Sequence, residues 1–212
     1  METLKIVWPP MANNTYMVYN EGCTDCIIID PSFATDRYER ALSTYGLKCS
    51  AILLTHGHCD HIGSVGELKK QYNCPVYIHR DDADMLTDSG KNQSESITGK
   101  ALELPPADHI LDDGATFSEA GLEVKVIHTP GHTPGSVCYI IGDHIFTGDT
   151  LFAGSIGRTD LPGGDYDAMM KSLKKLKAIE EDYVVCPGHM ESSSMAHEKA
   201  NNYYMHYDIS ED

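Results

Sequence analysis

Basic residues are scarce in this chain. Sixteen Lys and Arg stand against 32 Asp and Glu over 212 residues, a formal net charge of -16. A surface of that sign repels phosphate backbones and anionic lipid, which argues against nucleic acid or membrane partners. Long apolar runs are missing too. None approaches the ~20 residues of a membrane-spanning helix, and METLKIVWPPMANNTY at the start has no basic region followed by an apolar stretch, so a soluble, cytoplasmic protein is expected. Nor is there a disulfide framework. Cys23, Cys26, Cys49, Cys59, Cys74, Cys138 and Cys186 are an odd set dispersed through apolar stretches and read as reduced thiols. Cys23 and Cys26 form a single C-x-x-C with no second pair, and Gly22, Thr24 and Asp25 mark a turn between strands there.

Hydrophobic residues at 41% and charged residues at 23% are ordinary globular usage, so the chain can bury a core, and residues 1–212 are read as one domain. Thr15 to Tyr19 and Cys26 to Asp30 are apolar runs joined by Asn20-Glu21-Gly22, as in a hairpin. Tyr38, Ala41, Leu42 and Tyr45 recur at helical spacing, with Asp36 and Glu39 as a capping pair and Gly46 as terminator. Ser50 to Thr55 is a strand that runs directly into His56-Gly57-His58-Cys59-Asp60-His61. A helix through Val65, Leu68 and Tyr72, a strand from Pro75 to His79 and a helical turn from Asp81 to Leu86 continue the β/α alternation. Residues 88–108, polar and rich in Gly and Pro, read as an exposed loop. Strands are expected at Leu122 to Ile127, Ser136 to Ile141, His144 to Thr147 and Tyr183 to Cys186, with a helix after Asp165 through Met169, Met170, Leu173, Leu176 and Ile179.

His56, His58, Asp60 and His61 place four ligand types within six residues at a strand end, more than the usual three protein ligands of one catalytic ion. Asp60 and His61 are adjacent and cannot easily aim where the first pair aims, which suggests a second ion beside the first. Imidazole and carboxylate donors suit zinc, iron or manganese. Thr129-Pro130-Gly131-His132, Thr147-Gly148-Asp149 and Pro187-Gly188-His189 repeat the pattern, each a ligand type beside glycine just after an apolar run.

These motifs resemble the metallo-β-lactamase fold superfamily, whose His-x-His-x-Asp-His signature stands here as His56 to His61. The resemblance extends from Asn14 and Asp30 through His132 and Asp149 to His189. It implies an α/β fold, the αββα sandwich of two mixed β-sheets flanked by helices, and two divalent metal ions, zinc first with iron or manganese as alternatives. It assigns His56, His58 and His132 to one ion, Asp60, His61 and His189 to the other, and Asp149 to both, with a metal-bridging hydroxide as nucleophile. Asp60 and Asp149 are then the candidate catalytic carboxylates, whose two negative charges leave the two-ion centre net positive for an anionic intermediate. Gly148-Asp149-Thr150-Leu151-Phe152 and Gly157-Arg158-Thr159-Asp160 look most like the glyoxalase II group, especially its short bacterial members. That implies a small-molecule thioester substrate such as S-lactoylglutathione. Longer glyoxalase II proteins carry a C-terminal helical domain that helps bind glutathione, whereas 23 residues follow His189 here, with one helix expected over the site from Ser192 to Tyr207.

Two rival functions share these residues. One is a persulfide dioxygenase-like mononuclear iron oxidoreductase, which shares the Gly-Arg-Thr-Asp element. The other is a metal-stabilised, non-catalytic binding domain. Among the remaining side chains, His79 and His128 are assigned packing or loop-orienting roles, His109, His144, His197 and His206 a surface position, and Cys59 that of a spacer. Arg158 and Asp160 are expected to form a buried pair fixing the loop after Asp149, with Arg158 facing the substrate as the alternative.

Overall fold

The computed structural model describes residues 1–206. Six strands form the first sheet in the order β1 (Glu2–Trp8), β2 (Asn13–Tyr19), β3 (Asp25–Ile29), β4 (Lys48–Leu53), β5 (Val76–His79) and β6 (His109–Leu111). The second sheet begins with β7 (Thr116–Glu119), β8 (Leu122–His128), β9 (Val137–Ile141) and β10 (His144–Gly148). A small hairpin of β11 (Leu151–Phe152) and β12 (Ser155–Ile156) interrupts it, before β13 (Val184–Pro187) and β14 (Ser193–Ser194) extend the sheet beyond β10. Helices α1 (Thr35–Tyr45), α2 (Cys59–Ile62), α3 (Val65–Tyr72) and α4 (Ser94–Thr98) belong to the first half. The second half has α5 (Tyr166–Lys177), α6 (Met195–Asn201) and α7 (Tyr203–His206), and no helix among the described residues is long and apolar enough to cross a membrane.

Strand alternation produces three cores, and hence four layers. In β3, Cys26 and Ile28 face α1 and α3, where Tyr38, Leu42, Val65 and Leu68 cover them, while Ile27 and Ile29 face the opposite sheet. In β9, Val137, Tyr139 and Ile141 fill that same inter-sheet space and Cys138 and Ile140 turn outward to Met169, Leu173 and Leu176 of α5. Strands covered on both faces have no polar side to show, which is why these segments are continuous apolar runs in the sequence. The result is the αββα sandwich.

Several local expectations need correction. The capping pair does not form, because α1 starts at Thr35 on an uncapped Ala34, and Asp36 instead sits in the first turn, where its charge meets the helix's positive end. Residues 88–108 are more than a loop: they include α4, and buried Asn92 donates to the carbonyls of Met85 (2.9 Å) and Leu102 (2.8 Å) while its own carbonyl accepts from the N–H of Cys59. The single terminal helix is two short ones broken at extended Asn202, and Met195 and Met205 pack them on α5 rather than over the site. Tyr207, the last residue of that expected helix, lies outside the described residues.

One glycine decides how the His132 loop is seated. Gly131 has φ +144°, its carbonyl accepts from the N–H of Asp165 at 2.8 Å, and a Cβ there would lie 2.5 Å from the Met169 Cα in α5. Gly154 also has positive φ, +69°, but open space around it. Gly131→Ala is therefore expected to cost about 3 kcal/mol or more, overpacking against backbone added to backbone strain, and Gly154→Ala only about 1–2 kcal/mol. Urea unfolding of both variants measures the difference, and equal costs would contradict it.

Candidate metal centre

β8, β10 and β13 run in one direction, since β9 is antiparallel to both β8 and β10 while β10 and β13 are parallel. Their C-terminal ends therefore lie at one edge, and they deliver His132, Asp149 and His189 there. The extension of β4 arrives from the first sheet. It is tied across by the Val137 N–H to the Thr55 carbonyl (2.8 Å) and by the Tyr139 hydroxyl to the Leu54 carbonyl (2.7 Å). His56 and His58 follow, and α2 then turns Asp60 and His61 back toward the same point.

Four of the five imidazoles are oriented by a hydrogen bond on Nδ1. Thr55 Oγ1 donates to Asp30 Oδ2 (2.6 Å), so it accepts from His56 Nδ1 (3.1 Å). His61 Nδ1 donates to the same Asp30 oxygen at 3.0 Å, His132 Nδ1 to the Arg158 carbonyl at 2.7 Å, and His189 Nδ1 to the Met11 carbonyl at 3.1 Å. With Nδ1 engaged in this way, each Nε2 is turned to the interior as the atom left for a cation to take. His58 is turned the other way, its Nδ1 facing His132 Nε2 at 2.9 Å.

The seven side chains assemble as two neighbouring clusters of donors. His56, His58 and His132 form one, Asp60, His61 and His189 the other. Asp149 reaches both: Oδ2 lies 3.6 Å from His132 Nε2 and 3.4 Å from His189 Nε2, and Oδ1 lies 3.5 Å from His61 Nε2. Asp60 Oδ2 is 3.6 Å from the Nε2 of both His61 and His189. Two donors bound tetrahedrally to one ion at about 2.0–2.2 Å stand about 3.4 Å apart, so these separations suit shared cations. Two buried donor atoms in these clusters, His56 Nε2 and Asp149 Oδ1, have no hydrogen-bond partner. Unpaired buried polar atoms are costly, and a cation satisfies such a lone pair. The residues present therefore fit two metal ions. Gly188 leaves the room required, because a Cβ there would stand 2.3 Å from Asp149 Oδ1 and 2.7 Å from His61 Cε1.

Electrostatics separate the two clusters. Burial, with His132 nearby, pushes His58 down to about 3, and burial with His61 nearby takes His56 well below its ordinary value, so both imidazoles stay neutral donors. Burial also opposes charge on His61 and His189. There the carboxylates outweigh it, chiefly Asp60 on His61 and Asp149 on His189, and lift them to about 9 and about 11. Asp60 and Asp149 stay well below the ordinary carboxylate range despite a burial that favours protonation, because His61 and His189 face them. This end of the site attracts positive charge.

Supports that the sequence did not disclose lie just outside. Asp82 is fully buried and accepts from the Gly57 N–H (3.0 Å), Thr133 Oγ1 (2.7 Å) and the Gly135 N–H (2.7 Å), joining the His56–His58 turn to the His132 loop. Asn13 donates to Asp60 Oδ2 at 2.7 Å. Arg158 and Asp160 do pair, at 2.7 and 2.8 Å, but at the surface, with side chains 61% and 68% exposed, so the pair cannot be what fixes the loop. The Arg158 carbonyl does that, through His132. His79 is buried and stacks on His128 at 3.9 Å, and His128 Nε2 donates to the Pro134 carbonyl at 2.8 Å.

Residues 8–189 match the model of the metallo-beta-lactamase superfamily. The chain belongs to that superfamily. It is 32% identical to hydroxyacylglutathione hydrolase GloC of Haemophilus influenzae, over 84% of this chain and 86% of that protein. The solved structure of the BLEG-1 B3 metallo-beta-lactamase superposes with TM-score 0.92 at 34% identity, covering 97% of this chain and all of that one. A di-iron-bound form of TTHA1623 gives TM-score 0.82 at 35% identity, covering 95% and 99%.

If both clusters hold ions, purified protein will carry close to two transition-metal ions per chain. Asp149→Ala should lower that number, whereas His144→Ala, at a half-buried position where His144 Nδ1 pairs with Asp143, should not. Metal analysis by mass spectrometry decides; equal losses in the two variants would refute the shared role of Asp149.

Proposed function

We propose that this superfamily member is a glyoxalase II-like thioester hydrolase, with S-acylglutathiones such as S-lactoylglutathione as its substrate class. The observation that carries the reading is the placement of Asp149 between two clusters, with no uncommitted buried carboxyl beside it among the described residues to protonate a poor leaving group. Asp30 is committed to Thr55 and His61, and Asp82 to Gly57, Thr133 and Gly135. A thiolate leaves without a proton, whereas an amine does not. Metal ions, when bound, supply a water of lowered pKa and positive charge for the developing oxyanion. The chain's own part is to aim the lone pairs of His56, His61, His132 and His189 inward and to hold Asp60 and Asp149 ionised. Similarity to hydroxyacylglutathione hydrolase GloC supports the thioester. Similarity to BLEG-1 favours a second reading, β-lactam hydrolysis.

Substrate charge discriminates further. A groove of about 290 Å³ beside the His132 loop is lined by Asp81, Asp84, Met85, Pro134 and Pro162, and its Lys91 is paired with Asp84. The carboxylates of a glutathione tripeptide find little cationic partnership there. The protein is expected to turn over S-lactoylglutathione with a high KM, and a smaller thioester without the tripeptide at comparable kcat. Steady-state kinetics on both, beside a penicillin and beside glutathione persulfide with oxygen uptake, test this. Thioester turnover alone supports the proposal; lactam turnover or oxygen uptake without it would replace it with the corresponding rival.

A further inference from the structure

We infer that Asn13 belongs to the second cluster and that its side-chain oxygen is a ligand for the ion held by Asp60, His61 and His189, a role that rests on the two-ion reading above. Asn13 opens β2 and is 1% exposed. Its Nδ2 lies 2.7 Å from Asp60 Oδ2, 3.3 Å from His61 Nε2 and 3.4 Å from His189 Nε2. Both imidazoles are held through Nδ1, by Asp30 and by the Met11 carbonyl, so the atoms that face Asn13 are their Nε2 nitrogens, the ones a bound cation would take. The amide therefore points at the same three donors that a cation would use. Its other atom, Oδ1, is buried and has no partner.

The backbone here is fixed. Asn13 pairs with His189 in an isolated bridge, the Asn14 N–H donates to the Gly188 carbonyl at 2.7 Å, and the Asn14 side chain donates to the carbonyls of Pro187 and Met190. What remains free is the terminal torsion of the Asn13 amide, which is broad and roughly two-fold. An N–H edge aimed at a cation is repelled. A half-turn exchanges Nδ2 for Oδ1, offers the cation a carbonyl oxygen and gives the orphaned oxygen its partner. The same half-turn releases Asp60 Oδ2 from its hydrogen bond, freeing that lone pair as well.

Zinc titration of the whole protein against a competing chromophoric chelator tests the role without reference to activity. The wild type should bind two ions. Asn13→Leu should weaken the second by tenfold or more and leave the first unchanged, which also reports that the variant is folded. Asn13→Asp, which presents an oxygen in either orientation, should tighten the second ion. An unchanged or tighter second ion in Asn13→Leu, or a weaker or unchanged one in Asn13→Asp, would overturn the assignment while leaving the two-ion reading intact. A single ion in the wild type would overturn both.

Discussion

The site depends on one constraint: the imidazole lone pairs must face inward, and hydrogen bonds on the opposite nitrogen are what hold them so. Asp30 is the centre of that arrangement. One carboxylate, at a residue with φ +52°, accepts from the Thr55 N–H and hydroxyl and from His61, and through Thr55 it also orients His56. A single carboxylate at the end of β3 thus orients a donor in each cluster. The Met11 and Arg158 carbonyls do the same for His189 and His132 by main-chain geometry alone.

The sandwich serves this edge. Parallel strand ends bring residues more than a hundred positions apart to one place, and the two buried faces of each sheet keep those ends from moving independently. Asp82 and Asn92 carry the same rigidity into the segments that the sheets do not hold, one binding the ligand turn to the His132 loop, the other supporting the start of α2. The net charge of -16 is compatible with a cation-rich centre, because the carboxylates of the groove and surface stand apart from the buried pair, Asp60 and Asp149.

Much of this was legible beforehand, for definite reasons. Apolar runs ending in glycine and a ligand type located β4, β8, β10 and β13, and all seven expected donors do come together. Strand β1 was missed because its faces are only partly buried and its pattern does not alternate cleanly. The supporting polar residues were missed because burial of Asp82, Asn92 or Asn13 follows from tertiary packing, which leaves no periodic mark in the sequence. The Arg158–Asp160 pair was misplaced for a related reason: two residues apart in a loop they can pair anywhere, and the functional atom proved to be a main-chain oxygen. The short terminal helices were merged because nothing local to Asn202 announces the break.

The central claim is that Asp149 holds two ions close together between its neighbouring clusters. X-ray absorption fine structure on protein loaded with two equivalents of zinc tests it most directly. The account predicts nitrogen and oxygen scatterers at about 2.0–2.2 Å together with a metal–metal shell at about 3.5–4 Å. Two bound ions with no metal–metal shell in that range would contradict it.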